Sequence, residues 1–290
     1  MPYQTLAADA YLGQATEFLA ACRERDPLAG MWDVGNVHWW WRDDRYRNPS
    51  NQRFWATATS TFGLLLLNEH NATFDYEFFP GLEATPDALK LFTEGLEWLE
   101  RFELLGSAEK PSFYVRGEHA AFRNLAQEAG FVERGGALIQ TYQRLATYPA
   151  TVRLPTGFSV RPLCKSDLSR DRPPVLGLSA EGFGRVTRTP SYDPELHLVI
   201  ISPEGEVAAE CICWWDKGNA IGVFSPFEIA KAFSRRGLAQ GFLAKGMELF
   251  SQRGVRLVKV SHDKRDRAAG RLYASLGFKA AFERKLFVQR

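Results

Sequence analysis

Ser234-Arg235-Arg236-Gly237-Leu238-Ala239-Gln240 has the composition of an anion cradle. Leu238, Phe242, Leu249 and Phe250 recur near helical spacing, so the segment opens a helix expected from Gly237 to about Arg253. A helix N-terminus presents unpaired N–H groups and roughly half a positive charge. Gly237 and the small Ala239 let phosphate oxygens approach the backbone, and Arg235 and Arg236 add formal charge. A pyrophosphate needs this combination; a bare surface turn is the other use of Arg-Arg-Gly. The surroundings agree with the first use: Lys231 to Arg271 holds 11 basic and 3 acidic side chains. So lopsided a stretch suits a polyanionic partner, either nucleic acid or a phosphorylated cofactor.

The elements that must position this loop can be read on either side of it. Leu196–Ser202 and Val207–Trp215 are apolar or β-branched runs joined by Pro203-Glu204-Gly205-Glu206, a hairpin signature. Asp216–Asn219 is a second turn, leading into a strand from Ala220 to about Ile229. Gly254 stops the helix, and Val255–Val260 alternates as a strand. Upstream, Phe158–Pro162 reads as a strand and Asp167 begins a loop-helix stretch through Phe183. The sum is a mixed α/β sandwich rather than a barrel.

The same order occurs twice. Tyr148–Gly157, with two prolines and a glycine, divides a chain of 290 residues, which gives expected domains 1–150 and 151–290. Each half runs from a helical first third through hairpin strands, a long helix, a strand and a short helix ending in Gly-Phe to final strands. Gly130-Phe131 and Gly277-Phe278 stand 278 − 131 = 147 residues apart, about half the chain. Helix-stop chemistry explains each Gly-Phe alone, but not the shared order and offset; duplication explains both.

Composition excludes several classes. Hydrophobic residues make up 45% and charged residues 24%, as in an ordinary globular protein. The longest apolar run, Phe62–Leu67, has strand length, so no membrane span is expected. The N-terminus lacks a signal-peptide pattern, and Cys22, Cys164, Cys211 and Cys213 lack metal-site spacing. We therefore expect a reduced, cytoplasmic protein without a metal. The net charge of +2 divides unequally: residues 1–150 carry 13 Lys/Arg and 20 Asp/Glu (−7), residues 151–290 carry 23 and 14 (+9).

Tyr273 lies 273 − 237 = 36 residues beyond the loop, within Leu272-Tyr273-Ala274-Ser275-Leu276-Gly277-Phe278. Together these segments resemble the GNAT (Gcn5-related N-acetyltransferase) superfamily. Its cofactor loop reads Arg/Gln-x-x-Gly-x-Gly/Ala, and its later helix reads Asn-x-x-Ala-x-x-Leu-Tyr-x-x-x-Gly-Phe. The chain matches at Gly237, Ala239, Ala269, Leu272, Tyr273, Gly277 and Phe278. Ser234 departs from Arg/Gln and Asp266 from Asn. The resemblance is specific over about 196–280 and looser over 158–195.

What the resemblance implies is an α/β fold of two tandem GNAT-like domains, each a mixed, mostly antiparallel sheet flanked by helices. It further implies an N-acyltransferase that takes acetyl-CoA (CoA) as cofactor. Phe227-Glu228-Ile229 would pair with the pantetheine amide, the Ile229 N–H aimed at the thioester carbonyl. Ser234 to Gln240 would hold the pyrophosphate, with Asp266 nearby. Tyr273 would protonate the departing thiolate; core packing is its other use. An amine acceptor also needs a base, for which Glu228, Glu210 and His262 are candidates and Glu228 the first choice. No Cys or Ser has an evident activating partner, so direct transfer is expected.

The first half lacks this chemistry. Phe79–Asp87 stands where the loop should be: Thr85, Pro86 and Asp87 make a good helix start, but Pro86 removes a donor and Glu83 and Asp87 repel phosphate. Ala126 holds the Tyr273 position. This half reads as a degenerate repeat, a scaffold or a wall of the acceptor pocket. Its Val37-His38-Trp39-Trp40-Trp41-Arg42 suits a strand, either in the core or as an aromatic substrate wall. The expected partner is a small-molecule amine. Nucleic acid is disfavoured because the basic residues cluster at a pyrophosphate loop and not along an aromatic-interleaved face. A non-catalytic acyl-CoA sensor is the alternative, and retained Tyr273 argues against it.

Overall fold

A computed structural model describes residues 3–4, 8–57, 60–68, 72–104, 110–145, 154–168 and 175–290. The chain divides into two compact units. One comprises Met1–Gln140, Asp263–Arg265 and Ala281–Arg290; the other comprises Thr141–His262 and Asp266–Ala280. Of the expected linker at 148–157, residues 148–153 lie outside the described residues.

The first unit begins with β1 (Tyr3–Gln4), α1 (Ala8–Arg25) and α2 (Val34–Trp40). There follow β2 (Gln52–Ala56), β3 (Thr61–Asn68), β4 (Thr73–Phe78), α3 (Pro86–Leu104), β5 (Ser112–Arg116) and α4 (Ala120–Glu128). β1 to β4 pair antiparallel in sequence order and β4 pairs β5 in parallel. The apolar run in β3 is explained by cover on both faces. Leu64 and Leu66 pack with Tyr11, Phe18 and Leu19 of α1, while Leu65 and Leu67 face Phe92 and Leu96 of α3. With a side-chain period of two, such a strand must be apolar at every position.

The Trp-rich segment is a correction. Residues 37–40 continue α2 and do not form a strand. The Asp33 N–H donates to Asn36 Oδ1 at 2.9 Å, fixing the helix start, and Val34, Val37 and Trp41 are buried together. Their spacing of three and four is helical, and it outweighs the β preference of the tryptophans.

The second unit contains β7 (Ser159–Pro162), α5 (Ala180–Val186), β8 (His197–Ile201), β9 (Val207–Asp216) and β10 (Ile221–Ile229). It continues with α6 (Leu238–Gln252), β11 (Leu257–Asp263) and α7 (Arg267–Ser275). β6 (Phe131–Arg144) precedes all of these and β12 (Lys279–Gln289) ends the chain. β7 to β10 form an antiparallel meander, and β10 pairs β11 in parallel. Part of the expected 167–183 stretch, 169–174, lies outside the described residues. The two units thus repeat one pattern, down to the positive φ of Gly130 (+84°) and Gly277 (+86°) that ends α4 and α7.

Each unit is completed by a strand from the opposite half of the sequence. In the first, β12 pairs antiparallel with β5, from Arg284↔Arg116 to Val288↔Ser112. In the second, the end of β6 is held by Thr141 Oγ1, which donates to the Val260 carbonyl at 2.8 Å. There too the Leu145 N–H donates to the Arg256 carbonyl at 2.9 Å.

Candidate acyl-donor site

Two features of β10 open the site. Its parallel pairing with β11 runs from Ile221↔Leu257 to Val223↔Lys259, and its register with β9 slips between Phe224 and Phe227. Beyond that bulge the Ala230 N–H donates to the Ala208 carbonyl at 3.0 Å. Backbone direction alternates along a strand, so Phe227 and Ile229 turn their N–H and C=O groups away from β9, toward the side left open beyond Val223. Side chains alternate as well. The Phe227 ring stacks on Phe242 of α6 at 5.3 Å, and Glu228, exposed, lies on the opposite face.

The loop after β10 ends in an alternation of backbone hand. Arg235 has φ +63° and Gly237 has φ +74°, both left-handed. Gly237 is the N-cap of α6, and no side chain caps the helix. Successive N–H groups in such a turn converge on a concavity that favours anions. A Cβ added at Gly237 would meet nothing within 4 Å, so the residue borders open space. Arg236 is held by its Nη2 donating to the Ala232 carbonyl at 3.2 Å and by its position over the Phe233 ring.

α7 forms the other wall. Asp266 caps it, Oδ1 accepting from Ala268 N–H at 3.0 Å and Ala269 N–H at 2.9 Å. The departure from Asn therefore leaves a carboxylate engaged with its own helix. Tyr273, 6% exposed, packs beside His262 and Phe278. Burial, then the neighbouring Cys211 and Asp266, push its phenol above the usual range. It stays protonated at neutral pH.

These elements enclose a cavity of about 460 Å³. Phe227, Ile229, Arg235, Arg236, Gly237, Leu238, Ala239, Gln240, Asp266 and Tyr273 all line it. Ser234 and Glu228 do not. Phe233 and Ala268 also line it without having been singled out; Phe233 is an apolar residue in a short turn, with no motif to mark it. Of the other base candidates, Glu210 is fully buried and bonded to His197, and the His262 ring faces Tyr273.

The first unit answers differently at the matching places. α3 starts at Pro86, and Thr85 Oγ1 accepts from the Ala88 N–H at 3.3 Å, a cap supplied by the chain itself. Glu83 Oε2 accepts from the Gly81 N–H at 2.8 Å, and Ala126 is buried. A larger cavity in this unit, about 920 Å³, lies between α1, the β2–β3 turn and Phe79. Its described lining carries Glu17 and no Lys or Arg, which does not suit a polyanion.

No family model matches the chain, and no curated protein sequence does either. Solved structures do match, over the whole length. A GCN5-related N-acetyltransferase from Sphaerobacter thermophilus aligns over 99% of this chain and 94% of its own, with a TM-score of 0.64 and 18% identity. A tandem GNAT protein from the clavulanic acid biosynthesis pathway aligns over 99% and 97%, at 0.62 and 16%. A GNAT-family acetyltransferase from Colwellia psychrerythraea aligns over 99% of both chains, at 0.58 and 13%. The fold is that of the GNAT superfamily, in tandem form.

Proposed function

We propose that this chain of tandem GNAT fold is an N-acyltransferase, moving an acetyl or other short acyl group from acyl-CoA to a primary amine of a small molecule. The observation that carries the reading is one cavity lined at once by a helix N-terminus with no side-chain cap, a strand edge turned away from β9 and a buried phenol. The 151–290 half is the catalytic one on this reading, and the first half a degenerate repeat.

The residues divide the work. The α6 N-terminus and the Arg235–Gly237 turn hold pyrophosphate by N–H donation, where the open space over Gly237 admits the oxygens. Bound there, acyl-CoA supplies a carbonyl carbon with a thiolate leaving group. The outward N–H of Ile229 stabilises charge that develops on the carbonyl oxygen, an effect often worth about 3 kcal/mol. Tyr273 donates to sulfur as the C–S bond breaks. Its raised pKa makes it a weaker acid, but a thiolate in the same dry site is disfavoured for the same reason. Cys211, the nearest thiol, is pushed far up by burial and offers no nucleophile, which favours direct attack by the amine.

The test is release of free CoA thiol from acetyl-CoA with a panel of primary amines. Amine-dependent release is expected. Tight CoA binding with no release from any amine would favour the sensor reading.

A further inference from the structure

Opposite the cavity, on the other face of the sheet, three titratable side chains are bonded in series. Tyr192 Oη lies 3.0 Å from His197 Nδ1, and His197 Nε2 lies 2.9 Å from Glu210 Oε1. Glu210 Oε2 accepts from the Leu176 N–H at 3.1 Å. His197 and Glu210 are fully buried, and Tyr192 is half-buried. The direction of the chain follows from its end. A carboxylate only accepts, so His197 donates through Nε2–H, which leaves Nδ1 to accept from the Tyr192 hydroxyl. Phenol, imidazole and carboxylate thus stand in the order of a hydroxyl–base–orienter triad.

The chain's position links it to the bulge. Glu210 is in register with Glu228 on β10, and His197 with Ile212, whose neighbour Cys211 opposes Phe227. Trp214, beside the Tyr192 ring at 6.4 Å, donates its indole N–H to the Ser225 carbonyl within the bulge. Two carboxylates in register on adjacent strands destabilise a sheet, so their placement here asks for a use. The cavity occupies the α6 and α7 side of β10. A nucleophile that attacks a carbonyl held at this strand edge arrives from the other side, the face that carries this chain.

We infer that Tyr192, His197 and Glu210 are the route by which the acceptor amine loses its proton. The inference rests on the acyltransfer reading. As the N–C bond forms, the amine gives its proton to Tyr192 Oη while the phenol proton passes to His197 Nδ1. The imidazolium is held by the Glu210 carboxylate. The C–S bond breaks with its electron pair on sulfur, which takes the Tyr273 proton; the proton on His197 returns through Tyr192 to solvent and Tyr273 is reprotonated from solvent. Tyr192 thus never carries charge, in keeping with burial and Glu210, which raise its pKa. Tyr192 is the catalytic residue of the three; His197 and Glu210 position and poise it.

Glu210→Gln is the discriminating variant. The Gln oxygen must face the Leu176 N–H, so its NH₂ faces His197 Nε2. That reverses the tautomer and turns Nδ1–H toward Tyr192 at constant volume. Tyr192→Phe removes the hydroxyl alone. With acetyl-CoA and the best primary amine of the panel, both variants should lose tenfold or more in kcat, with KM for acetyl-CoA within about twofold. With hydroxylamine, whose nitrogen becomes a much stronger acid as the N–C bond forms and can lose its proton to water, the deficit should shrink severalfold, which a merely structural defect would not do. Wild-type kcat in Tyr192→Phe, or an equal deficit with both amines, overturns the route alone. No thiol release by the wild-type protein overturns the acyltransfer reading and the route with it.

Discussion

Gly237 offers the sharpest test of the donor site, because its backbone and its surroundings make separate contributions. Its φ of +74° costs any other residue about 1 kcal/mol, somewhat less for Asn. The space over it is open, so a new side chain meets no protein atom within 4 Å of Cβ. Gly237→Ala should therefore fold, with Tm lowered by only about 2–4 °C. Gly237→Asp adds a charge. At about 5 Å from a phosphate, one pair of unit charges repels by about 0.8 kcal/mol in water and about 3 kcal/mol at an effective dielectric of 20. The position is exposed, which favours the lower end, but a pyrophosphate presents two charges. The sum is about 1.5 kcal/mol or more, at least tenfold in affinity. Gly237→Asn has the same shape without the charge. Calorimetric titration of CoA, repeated at raised salt, reads the result: Asp should bind at least tenfold more weakly than Asn, and the gap should narrow as salt screens it. Equal affinities for the Asp and Asn variants in folded protein would refute the anion cradle.

Three further outcomes are expected. Tyr273→Phe keeps the packing against Phe278 and deletes the only donor, so kcat should fall about a hundredfold while CoA affinity, read by titration, barely moves. Native mass spectrometry at saturating CoA should count one molecule per chain, because α3 is capped by its own Thr85 where α6 has no cap. Asp75 is held at about 7 by burial, only partly opposed by Arg284. A carboxyl raised in the folded state binds its proton more tightly there than when unfolded. It therefore subtracts stability as pH rises from about 4 to 7. Asp75→Asn should raise Tm more at pH 8 than at pH 4.5 by thermal melts, an effect of about 1–2 kcal/mol after solvent screening.

The candidate donor cavity was legible because its parts are local: a loop, a helix start and a short motif, each within a dozen residues. Ten of the fourteen candidate residues line one cavity. Glu228 stands apart for a reason visible only in register, since strand alternation turns it to the opposite face from Phe227. The Tyr192–His197–Glu210 chain was illegible because a hydrogen-bond series across a loop and two strands leaves no spacing in sequence. Glu210 was noticed alone, without the histidine that engages it. The helical Trp segment was misjudged on residue type, although Val34, Val37 and Trp41 carried the helical period.

The pairing of β5 with β12 sets a timetable for synthesis. Ser112 meets Val288, so 288 − 112 = 176 further residues must be translated before the β5 edge acquires its partner. At about 5–20 residues per second that is roughly 9–35 s. During that interval the first-made unit presents an unpaired strand edge, the kind of surface other chains pair with. The Met31 carbonyl waits longer still for Arg284, its partner from 253 residues downstream. Ribosome-bound chains that end before β12 are thus exposed to misassociation, and emergence of β12 is the event that closes the hazard.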